Sequence, residues 1–285
     1  MTWTFEQVLQ RMRELDAFLK RIGLHTEAGR FSIHIKAIET LDAAQKRGSV
    51  DEIDNDQTLW SMTEAIELAE VDALKEYSPS ILARKFREVL QGPPRPTVED
   101  ENTNHGRNTA FELSMATWFC RQGVFRGLFD NPDVPCEVAG VPVLVQCKRP
   151  LEEKGIQRNI ARAREQLRGD LAGRRYPAAC GIIAISLSRI ISSRSALLWG
   201  THSARALAEA RQRIEAIAQS YASVSVEEPG VIATAFHVMM PVLTVDTDRP
   251  NGRLGSVNVP VIYRHYPDSR EQTELLHHLF GPPMG

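Results

Sequence analysis

Pro132-Asp133 and, one hairpin later, Val143-Leu144-Val145-Gln146-Cys147-Lys148 decide how this chain is read. A β-strand sends alternate side chains to opposite faces, so Leu144, Gln146 and Lys148 share one face and Val143, Val145 and Cys147 the other. An apolar strand therefore ends by presenting an amide and an ammonium side by side. Ala139-Gly140 supplies the turn that folds the chain back and separates Asp133 from that strand end. Upstream, Glu112 is followed three, four and seven residues on by Met115, Ala116 and Phe119, which puts a carboxylate on an apolar helical stripe, where an isolated charge is costly. Each residue also has a purely structural explanation. Thr109-Ala110-Phe111-Glu112 has the form of a capping box, and Asp133 after Pro132 suits a turn.

On either side of this stretch the periodicity predicts a helix ending near Gln122, strands over 124–129, 136–138 and 141–148, and a helix near 157–171 with the apolar stripe Ile156, Ile160, Ala163, Leu167 and Leu171. The continuous apolar run from Cys180 to Leu187 is that of a strand buried on both faces. The order is αβββαβ. Beyond it come a helix through Ile214, Ile217 and Tyr221, strands over 231–245 and 256–263 joined around Asp248 to Gly252, and a terminal helix capped by Ser269. Pro267-Asp268, a second such pair, has no acid-x-Lys strand after it and reads as a turn.

The N-terminal stretch has a different pattern. Thr4 to Gln7 forms a capping box, and apolar residues then recur at helical spacing in four segments that end near Gly23, Gly48, Ser78-Pro79 and Gly92. Gly92-Pro93-Pro94-Arg95-Pro96, followed by Glu99-Asp100-Glu101, cannot continue a helix or join a central strand. The expected organisation is a helical module over 1–92, a Pro-rich linker over 93–104 and an α/β domain over 105–285. The module is expected to dimerise the chain or dock a protein.

At Glu112, Pro132-Asp133 and Gln146-Cys147-Lys148 the chain resembles the PD-(D/E)XK nuclease superfamily, the restriction-endonuclease-like fold. The resemblance covers about residues 104 to 190 and departs from the usual acid-x-Lys at Gln146, as Mrr-like members do. It implies a magnesium- or manganese-dependent endonuclease that hydrolyses phosphodiester bonds, with a restriction or defence role. Asp133 would be the main metal ligand, joined by Gln146, the Cys147 carbonyl and Glu112, and Lys148 would orient the nucleophile. Without a charge at Gln146, metal binding should be weaker but not lost. Gln166 and Asn159 on the following helix would support the site. The alternative is a nuclease fold that binds nucleic acid or a protein without cutting, and a third possibility is a scaffold built on the helices.

Charge supports a nucleic-acid partner locally rather than globally. The formal net charge is −2, yet from Lys148 to Arg175 nine Lys and Arg face four acids. Arg149, Arg158, Arg162 and Arg168 are the expected contacts to a DNA backbone, with RNA as the alternative. No apolar segment approaches the ~20 residues that span a bilayer, and a cytoplasmic location is expected. Cys120, Cys136, Cys147 and Cys180 have no metal-ligand spacing and read as reduced, mostly buried thiols.

Overall fold

The computed structural model describes residues 4–47, 56–93, 98–128, 131–173, 175–192, 198–200, 203–221, 228–246, 249–266 and 269–281. The N-terminal periodicity closes into α1 (Phe5–Arg21), α2 (Arg30–Arg47), α3 (Asp56–Glu70), a 3-10 turn (Val71–Leu74) and α4 (Pro79–Val89). The expected capping box is reciprocal: Gln7 N donates to Thr4 Oγ1 at 3.1 Å and Thr4 N to Gln7 Oε1 at 2.9 Å. This satisfies two backbone donors at the start of α1.

After α5 (His105–Arg121) come β1 (Val134–Val138), β2 (Val141–Lys148), α6 (Ile156–Ala172), β3 (Cys180–Ser186), α7 (Ser188–Ser192), β4 (Leu198–Gly200), α8 (Ser203–Tyr221), β5 (Val231–Asp246), β6 (Arg249–Arg264) and α9 (Arg270–Phe280). The chain is thus mixed α/β. The described strands make one six-stranded sheet in the order β1-β2-β3-β5-β4, with β6 also paired to β5. β2, β3 and β5 run parallel, and α6 is the crossover that a parallel β2–β3 pair requires. β1 and β6 are antiparallel additions.

Strand alternation sorts side chains into two apolar clusters. Val143, Val145, Cys147, Ile182 and Ala184 join the helices α1 to α5 and α9 on one face. Leu144, Ile183 and Ile185 join α6, α7 and α8 on the other. Burying apolar area at about 25 cal/mol per Å² makes these faces the main source of stability. The N-terminal helices and the first sheet face share one cluster, although 93–104 reads as a linker in sequence. At their junction α4 and α5 approach so closely that a Cβ on Gly106 would lie 2.6 Å from the Gln91 carbonyl oxygen. The stripes of α1 to α4 are therefore used inside the chain. Among described residues Val98 is the large hydrophobic left exposed.

Three expectations change. Of the strand expected over 124–129, the described residues 124–128 make only a bridge between Phe125 and Cys136, Gly127 leaving the extended run at φ 134°, and Phe129 lies outside the described residues. The capping box at Thr109 does not form: α5 begins at His105, one turn earlier, so Glu112 is an interior helix residue. The second C-terminal strand starts at Arg249 instead of 256, since β5 and β6 keep pairing up to Asp246–Arg249. Pro267-Asp268 and residues 94–97 of the linker lie outside the described residues. Among the described residues no helix is long and apolar enough to cross a membrane.

Candidate active site

β1 begins at Val134, opposite Val145, so β2 runs past the end of that ladder. The backbone N–H of Cys147 has no strand partner there. Asp133 takes it, accepting at Oδ2 over 2.8 Å. The next residue, Lys148, places its ammonium 3.7 Å from the same oxygen and donates to the Cys147 carbonyl at 3.0 Å. Unequal strand lengths thus bring an acid and a cation together.

Gln146, on the same strand face as Lys148, is wholly buried. Its Nε2 donates to Asn131 Oδ1 at 3.1 Å and to Asp170 Oδ2 at 3.2 Å, and Asn131 Nδ2 donates to Asp170 Oδ1 at 2.5 Å. These contacts fix which end of the amide is the oxygen. Oε1 is buried without a hydrogen-bond partner, and such an atom needs a ligand or water to be satisfied.

Glu112 reaches the opposite side of the strand end from α5. Its Oε2 accepts from Lys85 Nζ of α4 at 2.7 Å, with both side chains largely buried at 18 % and 8 % exposure. Burial and then the Asp133 charge push the Glu112 carboxyl up, against the pull of Lys85 and Lys148. Burial is the largest influence on Lys85 and would lower it, but the charge and hydrogen bond of Glu112 together with the Asp133 charge outweigh it, and the net direction is up. We read the pair as a firmly protonated lysine holding a carboxylate that burial and Asp133 disfavour. Cys147 offers only its backbone, because burial pushes its thiol well up.

Asp133 and Lys148 open onto a cleft of ≈ 1370 Å³, also lined by Asn131, Asp170, Asn159 and Gln166. Glu112 and Gln146 lie behind its wall. Asn159 spends its amide nitrogen on the Gly155 carbonyl at 2.8 Å; Gln166 is exposed in the cleft. The cleft is not a uniformly basic track, since five Lys and Arg line it against seven acids.

The four expected arginines divide by helix phase and burial. Arg158 and Arg162 line the cleft, with Arg158 ion-paired to Glu101. Arg168 is off it, donating from Nε and Nη2 to Glu228 at 2.8 and 2.7 Å, because residue 168 lies on a different side of α6 from 158, 162, 166 and 169. Arg149 lines the cleft but is buried against Glu99 at 2.9 Å, so its charge is met within the protein. Arg162→Glu should weaken binding to any nucleic acid and reduce the slope of log affinity against log salt by about one unit. Arg168→Glu should change the slope little. Equal slopes for Arg162→Glu and wild type, by fluorescence anisotropy over a salt series, would remove Arg162 from the interface.

Sequence reasoning missed four contributors. Lys85 carried a signal, a lysine on the apolar stripe three residues after Leu82 and four before Val89. Asn131, Asp170 and Glu99 carried none, because their partners are distant in sequence. Glu99, from the linker, has a fully buried side chain that meets Arg107, Arg149 and Arg189, the last at 3.2 Å. Arg107 and Arg30 also meet Glu64, which bonds His34 at 2.7 Å. Burial would raise the Glu64 carboxyl, but Arg30, His34 and Arg107 together hold it well below the usual range.

The Gln146 contacts alter what a carboxylate there would do. Gln146→Glu would lose two N–H donors and face the Asp170 carboxylate at hydrogen-bond distance. We expect a loss of about 1–3 kcal/mol in stability, recovered in large part by adding Asp170→Asn. Urea unfolding of both variants checks this; a single variant as stable as wild type would mean the amide nitrogen contributes nothing.

Compared with protein-family models, with curated proteins and with solved structures, the chain gives no match.

Proposed function

We propose that the chain is a metal-dependent nuclease of the restriction-endonuclease-like class, hydrolysing phosphodiester bonds in DNA. The observation that carries this reading is the strand end itself: Asp133 and Lys148 are 3.7 Å apart at the mouth of a polar cleft. The succession α5, β1, β2, α6, β3 around them supports it, short of the expected αβββαβ by its first strand, which is only the Phe125–Cys136 bridge.

The residues fit a hard divalent cation. Asp133, Glu112, the Gln146 amide and the Cys147 carbonyl are all oxygen donors, the kind magnesium and manganese take, and the buried Oε1 of Gln146 lacks a partner. When bound, such an ion supplies Lewis acidity to a phosphoryl oxygen and acidifies a water. The chain's own part follows from its charges. Asp133 anchors Lys148 over the cleft, and the ammonium stabilises negative charge that develops on the phosphorane oxygens as water adds and the sugar oxygen leaves. Arg162, and Arg158 once freed from Glu101, hold flanking phosphates.

Incubation of supercoiled plasmid, linear DNA and RNA with magnesium, manganese or EDTA tests the reading. Metal-dependent nicking of plasmid is expected, and no cutting of any substrate at any metal concentration would overturn it. A second reading, a nuclease fold that binds nucleic acid without cutting it, is favoured by the uncharged Gln146, which offers a metal ion no charge. That reading predicts salt-sensitive binding of nucleic acid with no cleavage.

A further inference from the structure

We propose that Lys85, delivered by the N-terminal helices, is a resident cation of the site that competes with a divalent metal ion for Glu112; this rests on the metal-dependent reading above. Lys85 lies on the buried stripe of α4 between Leu82 and Val89, where a lysine is rarely found without a partner. Glu112 is its partner at 2.7 Å, and the contact spans 27 residues of sequence. The pair sits close enough to the strand end for the Asp133 charge to act on both members.

Counting charge gives the consequence. Asp170, bonded to the Gln146 amide, adds one negative charge beside the strand end; among Asp133, Glu112, Lys148 and Lys85 the charges cancel, so that set is formally neutral. An acid at 146 and an apolar residue at 85 would leave it at two negative charges, the complement of a divalent ion. Both departures act in one direction: each removes attraction for a dication. Gln146 does so by lacking a charge, and Lys85 by placing an opposing one on the carboxylate the metal would use. The N-terminal helices are then part of the site, because α4 sets its affinity for metal.

Manganese binding to the full-length protein, measured by isothermal titration calorimetry without nucleic acid, tests the proposal. Lys85→Met removes the ammonium and keeps the apolar stem. It should bind manganese at least about tenfold tighter than wild type, since a like charge a few ångströms from the ion is removed. In Lys85→Met/Glu112→Gln, where a neutral amide replaces the contested carboxylate, that gain should vanish. Should the methionine variant not fold, Lys85→Gln carries the same comparison while retaining an N–H donor to Glu112. Equal or weaker binding by the Lys85 variant overturns the competition and leaves the nuclease reading standing. A gain that persists in the double variant overturns it too, because Glu112 is then not the contested group. No binding by wild type or any variant overturns both the competition and the metal-dependent reading.

Discussion

Asp133→Asn and Lys148→Ala are each expected to lower phosphodiester cleavage by at least about 10²–10³-fold, the usual cost of removing one group that stabilises transition-state charge. Asparagine is the cleaner substitution at 133. It keeps an oxygen to accept the Cys147 N–H, which Asp133 now receives at 2.8 Å, while removing the negative charge that anchors Lys148 and would hold a cation. Alanine there would also orphan a backbone donor at about 1–3 kcal/mol, mixing a folding defect with a chemical one. Lys148 ends β2 with its side chain 18 % exposed, so its loss should leave the fold intact. Single-turnover cleavage of a labelled duplex, with thermal unfolding as control, reads both variants. Activity within tenfold of wild type in either, at unchanged stability, would remove that residue from the chemistry.

Glu99→Gln is expected to destabilise the protein by about 3–5 kcal/mol, the range for breaking a buried ion pair from one side. Its side chain is fully buried and shared by Arg107, Arg149 and Arg189. Neutralising it leaves three guanidinium groups facing one another with a neutral acceptor between them. Because Arg149 and Arg189 line the cleft, the same change should also raise affinity for anions there. Urea unfolding measures the first effect. A loss under about 1 kcal/mol would mean that the arginines reach water without Glu99.

Both predictions concern groups whose partners differ greatly in sequence distance, and that difference governs what could be read from the chain. The strand over 141–148 was legible to the residue, because alternation has period two and its apolar members are buried on both sides. α1 with its capping box and α6 with its stripe were legible to within one or two residues at their ends, because their signals lie within one or two turns. Asp133 and Lys148 were legible as a pair because a short hairpin joins them. The capping box at Thr109 misled for the same local reason: a valid cap sequence lies one turn inside a helix that starts at His105.

By itself the sequence determined the mixed α/β class, the elements around the strand end, and the acid and lysine placed there, all consequences of periodicity and short-range turns. Only the tertiary structure decided the rest. It turned a linker glutamate into the buried counter-charge of three arginines, gave Glu112 a lysine from α4, and gave Gln146 an aspartate from the far end of α6. It also removed Arg168 from the cleft and sealed Arg149 within the wall. The physical reason is that a buried charge or amide must find its partner wherever packing brings one, and packing joins residues that no local spacing relates.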